Sequence, residues 1–124
     1  MTTKRFHIGD VLTVTTGKLL SQGGMRSVYE ILKHLAGEPI FTHQIGRVLQ
    51  EAAPHVLKQF PALASERGDD VTPEGHALWL EEMAGAYGEW LDVAPLPEHA
   101  HESIDPISEL AEKVHPARIV TVGH

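Results

Sequence analysis

Apolar residues at positions 25, 28, 29, 32, 35 and 36 recur at the spacing of one helix face and predict a helix from Met25 to Ala36. Gly37 supplies its C-terminal cap, and Glu38-Pro39 blocks continuation. A second stripe, Ile45, Val48, Leu49, Ala52 and Ala53, predicts a helix entered through Thr42 as N-cap, with Phe41 placed to staple onto the first turn. Pro54 is expected to break or kink it; helical spacing resumes through Val56, Leu57 and Phe60 until Pro61. Thr72-Pro73-Glu74 combines a capping hydroxyl, a proline at the first helical position and an acid facing the positive end of the dipole. The helix it starts turns Leu80, Met83, Ala84, Tyr87 and Leu91 inward, and Glu81, Glu82 and Glu89 to water. Asp105-Pro106 repeats the signal for a short last helix with Ile107, Leu110, Ala111 and Val114 on its apolar face, ending before Pro116.

Strand signals are weaker. The β-branched stretch Val11-Leu12-Thr13-Val14-Thr15-Thr16 predicts a strand from about Ile8 to Thr16, ended by Gly17. Asp92 to Pro97 reads as an edge strand or extended segment, and Ile119 to Val122 as a terminal strand. Residues 64–71 are polar and turn-rich and predict an exposed loop. Together these give a single α+β domain over residues 1–124, helix-rich, with a small antiparallel sheet formed by the N-terminal strand and C-terminal extended segments.

The formal net charge of −7 conceals an asymmetry. Residues 1–60 carry seven Lys and Arg against four acids, and residues 61–124 three against thirteen. Such a chain docks its halves on one another or docks head to tail with a second copy, as a homo-oligomer; whole-chain binding to nucleic acid is disfavoured. Nine histidines make the charge pH-sensitive. With no cysteine, disulfides, iron–sulfur ligation and thiol nucleophiles are excluded. The opening residues carry no secretory pattern and no apolar run is long enough to span a bilayer, which predicts a cytoplasmic protein without membrane partners.

No complete catalytic constellation is present, and no cofactor is expected. Gly17-Lys18 lacks the upstream glycine and the following hydroxyl of a phosphate-binding loop, although Thr15, Thr16, Lys18 and Arg26 around a glycine-bearing turn at a helix N-terminus offer a place for an anion. His99 and His101 would project to one side of an extended chain and, with His7 or His115, are candidates for a metal site and a metal-dependent hydrolase. His43, Gln44 and Arg47 open the second helix and could present donors to a phosphate, a base or an acidic partner. The two helices around Gly37–Thr42 also have the length of a helix-turn-helix DNA-binding regulator that would read bases with His43, Gln44, Arg47 and Gln50.

The segments Phe6-His7-Ile8-Gly9-Asp10-Val11-Leu12-Thr13-Val14-Thr15-Thr16-Gly17-Lys18-Leu19, Val28-Tyr29-Glu30-Ile31-Leu32, Phe41-Thr42-His43-Gln44 and Ile104-Asp105-Pro106-Ile107 resemble a family of small uncharacterised proteins encoded by bacteriophages and prophages. That resemblance implies an accessory protein of the bacterial host cytoplasm that inhibits a host antiviral defence component or acts as a takeover factor, and the absence of a complete catalytic constellation points to action by binding. Two versions follow: Glu81, Glu82 and Glu89 engage a basic surface of a host protein, or Lys18, Arg26, His43 and Arg47, with Thr16 and Gln44 nearby, hold a nucleotide signal.

Overall fold

The computed structural model describes residues 3–113. In chain order come β1 (Lys4–His7), α1 (Ile8–Thr16), α2 (Met25–Ala36), α3 (Ile45–Gln59), α4 (His76–Tyr87), β2 (Trp90–Val93) and α5 (Pro106–Lys113). Short 3₁₀ turns occupy Thr42–Gln44, Pro61–Ser65 and Glu98–Ala100. The fold class is α+β, as expected. The terminal strand predicted at Ile119–Val122 lies outside the described residues.

The largest departure from the sequence expectation is α1, a helix where β-branched residues predict a strand. Burial accounts for it. Every residue from Ile8 to Val14 is buried, because α1 runs through the centre and packs on α2, α3 and α4. A helix covered on all sides has no polar stripe, so its periodicity is invisible, and the packing overrides the modest propensity of Val and Thr for strands. The threonines are accommodated by bonding back into the helix: the Thr13 and Thr16 hydroxyls donate to the Gly9 and Leu12 carbonyls at 2.8 and 2.6 Å. Thr13 Oγ1 also accepts the Leu20 N–H at 3.0 Å.

Both ends of α1 are capped by sequence-local devices. His7 Nδ1 accepts the Gly9 N–H at 3.1 Å, and the Asp10 carboxylate accepts the His7 backbone N–H. This is a variant of the capping box, with histidine in the place usually held by Ser or Thr and the second helical N–H bonded in place of the third. At the other end Gly17, at φ +74°, takes the left-handed conformation and returns its N–H to the Thr13 carbonyl at 3.0 Å.

The predicted strand partner is also shifted. β1 pairs antiparallel with β2, Lys4 opposite Val93 and His7 opposite Trp90, so the sheet lies at residues 90–93 and not 92–97. α2 has the predicted span, and Val28, Leu32 and Leu35 of its stripe are buried, together with Ile31; Met25 is exposed. α3 starts at Ile45, after the 3₁₀ turn, because the Thr42 hydroxyl bonds to the Tyr29 hydroxyl and does not cap a helix. Pro54 does not break α3: it faces solvent, where water can satisfy the carbonyl it leaves unbonded. Thr72 Oγ1 accepts the Gly75 N–H at 3.0 Å, so the predicted cap closes a turn and α4 begins at His76.

The two oppositely charged halves dock on one another within one chain. Arg5 faces Asp92, Lys18 pairs with Asp69, and Arg47 pairs with Glu109. On α5 Ile107 and Leu110 of the expected apolar face are exposed, Ile107 at 78%, while Glu109 is 3% exposed; Val114 of that face lies outside the described residues. Arg47 and Gln44 draw Glu109 inward, and a helix this short cannot bury both faces.

Candidate functional site

Two groups of polar residues stand out, a buried charged network under the C-terminal segment and an open groove beside His7.

The network is centred on Arg47. Its guanidinium grips Glu109 through two bonds, Nε to Oε2 at 2.8 Å and Nη2 to Oε1 at 2.9 Å, and its Nη1 donates to Glu51 and to the Glu102 carbonyl, both at 2.7 Å. Gln44 adds a bond to Glu109 at 2.9 Å. Next to it the His101 ring is held between two carboxylates, Nδ1 to Glu51 at 2.7 Å and Nε2 to Glu38 at 2.6 Å. A ring that donates from both nitrogens is an imidazolium. Burial opposes that charge, but the bonds to Glu51 and Glu38 outweigh it and hold the His101 pKa above the ordinary 6.5. The same bond from His101 holds Glu38 below its ordinary 4.5. All these contacts tie residues 101–109 to the α2–α3 corner.

The signs fix a pH window. A raised His101 pKa contributes stability that is complete below about 6.5 and lost as pH rises through the folded value, whereas a lowered Glu38 pKa contributes stability complete above about 4.5 and lost on acidification. Hydrogen-exchange protection of residues 101–109 is therefore expected to be greatest between about pH 4.5 and 6.5 and to fall on either side. A protection profile that rises steadily to pH 9 would contradict the clamp.

The groove is made by the capping box. With Nδ1 of His7 accepting the Gly9 N–H, the ring proton sits on Nε2, and the ring meets Trp90 edge-on at 5.4 Å. On one side of His7 lies a cleft of about 280 Å³ lined by His76, Leu80, Ala84, Glu81 and Glu89. On the other lies one of about 390 Å³ lined by Lys4–His7, Asp10, Ser27, Glu30 and Trp90; the two share His7 and Gln22. Burial pushes the Asp10 pKa up, opposed by bonds from the Ser21 hydroxyl and the His7 backbone. His76 Nε2 is fixed to the Leu20 carbonyl at 2.9 Å, which orients its ring along the first cleft.

Residues 6–66 of the chain match a family described as a domain of unknown function, DUF7736. No curated protein and no solved structure matches the chain. The matched stretch contains His7, Asp10, Gln44 and Arg47; Glu81, Glu89, Trp90, His101 and Glu109 lie beyond it.

The residues singled out in the sequence are scattered. Thr16 and Lys18 sit at the C-terminal end of α1, not at a helix N-terminus as expected, so the nearby dipole end is negative and repels anions. The Thr16 hydroxyl accepts the Lys18 N–H at 3.1 Å, and the Lys18 amine is engaged by Asp69 and by the Arg67 carbonyl. Arg26 is exposed on the first turn of α2. His43 stacks on Phe41 in the 3₁₀ turn, with ring centroids 6.3 Å apart. Gln44 is buried and bound to Glu109, not displayed with His43 on a solvent face.

His99 and His101 do not converge: His99 is exposed and meets His55 edge-on, while both nitrogens of His101 are taken by carboxylates. Among the described residues no three His, Asp or Glu side chains are arranged to hold a metal. Glu81 and Glu82 are exposed on α4 as expected; Glu89 is exposed too, but beyond the helix, between α4 and β2. Among the described residues no helix is long and apolar enough to cross a membrane.

Proposed function

We propose that the protein works by binding, and that it takes a basic partner on the acidic face formed by α4 and the start of β2. The carrying observation is the cleft in which Glu81 and Glu89 stand beside an apolar wall of Ala77, Leu80 and Ala84. That combination suits a lysine or arginine side chain, whose hydrocarbon stem lies on apolar surface while its head meets carboxylates. Neither glutamate has a cationic partner among the described residues. Trp90, 54% exposed, and Leu78 stand exposed nearby as apolar anchors. Glu82 lies outside the cleft and adds to the field that steers a cation toward it.

The alternative cations are less available. Lys18 and Arg47 of the nucleotide version are already bound to carboxylates, and the helix-turn-helix version has Gln44 and Arg47 committed to Glu109. The phage-accessory setting implied by the sequence resemblance makes the partner a basic, nucleic-acid-binding surface of a host defence protein.

Calorimetry with a peptide of arginines spaced by serines tests the reading. Saturable heat is expected for the native chain, with affinity reduced at least about tenfold, ~1.4 kcal/mol, by the triple reversal E81K/E82K/E89K. Unchanged affinity in that variant would reject the acidic face.

A further inference from the structure

We infer that the partner is held as an extended strand added antiparallel to the open edge of β1, in the groove between β1 and α2, with its basic residue at the N-terminal side. The inference rests on the preceding reading, because it uses the Glu81/Glu89 cleft as one end of the path.

The backbone gives the first reason. The Ile8 N–H donates to the Glu89 carbonyl at 2.8 Å, and in this antiparallel register the bonded pairs recur every second residue. Phe6 with Leu91 and Lys4 with Val93 therefore face inward to β2, which leaves the N–H and C=O of Arg5 pointing to the opposite edge. Among the described residues β1 has no second neighbour there. An edge with a free donor and acceptor is a template for another strand.

The groove gives the second. The cleft of about 390 Å³ has β1 as one wall and Ser27 and Glu30 of α2 as the other, so an added strand lies between a strand and a helix. It shares Lys4 and Glu30 with a further cleft of about 460 Å³ lined by Lys33 and His34, and His7 and Gln22 with the cleft of Glu81 and Glu89 on the other side of the His7 ring. Pairing stops at His7, whose N–H is spent on Asp10, and at that point the path opens toward the two glutamates.

Charge fixes direction. The groove is acidic at its His7 end, through Glu81 and Glu89, and basic at its Lys4 end, through Lys4 and Lys33. A segment antiparallel to β1 begins at the His7 end, so it carries its lysine or arginine first and its carboxylate last. The span of β1 is about 10 Å at roughly 3.4 Å per residue, so a segment of about seven residues reaches both ends.

The test uses a labelled heptapeptide with arginine first, glutamate last and alternating valine and threonine between, beside the same peptide with the two charged residues exchanged. Fluorescence anisotropy is expected to show at least about tenfold tighter binding of the arginine-first order. N-methylation of one alternate set of peptide amides, those facing β1, is expected to abolish binding, and methylation of the other set to spare it; the Arg5 amide resonance moves on binding. Equal affinity for the two charge orders, indifference to both methylation sets, sensitivity to both, or no binding at millimolar peptide would each overturn the strand. Binding that is lost in E81K/E89K but indifferent to methylation rejects strand addition and leaves the basic-partner reading standing. Binding unchanged in E81K/E89K removes the acidic cleft itself.

Discussion

Arg47→Ala is expected to undock α5 and the segment leading to it. The guanidinium makes four hydrogen bonds in one place, gripping Glu109 in a fork while holding Glu51 and the Glu102 carbonyl. The described apolar side chains of α5, Ile107 and Leu110, are both exposed, so little apolar burial holds that helix once the fork is gone. Removing one member of a buried ion pair strips the other of its counter-charge, which costs about 3–5 kcal/mol. Glu109, 3% exposed, is the group left behind. The docked state should lose about 10²–10³-fold in hydrogen-exchange protection at the Glu109 and Leu110 amides, while those of α1 and α2 change little. Arg47→Lys should recover only part of this, because one ammonium cannot reproduce the planar fork. Protection in α5 that survives Arg47→Ala would mean that something other than this network holds the segment.

Gly9→Val is expected to destabilise the whole domain by about 3 kcal/mol, at the upper end of the usual cost of overpacking. A Cβ at Gly9 would lie 2.9 Å from the Leu20 carbonyl oxygen and 3.0 Å from Leu80 Cδ2. The first of these is backbone and cannot swing aside. Replacing a helical glycine ordinarily favours the helix by roughly 0.5–1 kcal/mol, so the sign here reports the crossing and not the propensity. Urea denaturation gives the measurement: a midpoint equal to or above that of the native chain would show that α1 does not approach Leu20 and α4 this closely.

That helix is also the clearest case of what the sequence could and could not convey. α2 was legible because one face meets the core and the other meets water, leaving a 3.6-residue period in the residue types. α1 was not, because burial on every side erases the period, and its threonines satisfy themselves on its own carbonyls. A readable sign was nonetheless present: His7 and Asp10 stand at the N-cap and N3 spacing immediately before an apolar run. The acidic residues Glu81 and Glu82 are exposed as the sequence predicts, since the apolar stripe through Leu80, Met83 and Ala84 sets the phase of α4 even though the Thr72 cap does not start it. The Arg47 network was hidden for a different reason. Only Arg47–Glu51 is a local i,i+4 pair; Glu38, His101 and Glu109 come from three other stretches, and pairing at such separations leaves no local pattern. The charge asymmetry between the halves was the one global hint, and it is expressed as intramolecular pairing that leaves Glu81, Glu82 and Glu89 unspent.

On the proposed reading the cleft beside His7 receives a basic side chain. Nitrogen–proton correlation spectra recorded during titration with acetyl-arginine amide test it most directly. Saturable shifts confined to His7, His76, Ala84 and Glu89 are predicted, suppressed by E81Q/E89Q and retained in E82Q. Shifts spread evenly over the acidic surface, or shifts that persist in E81Q/E89Q, would contradict it.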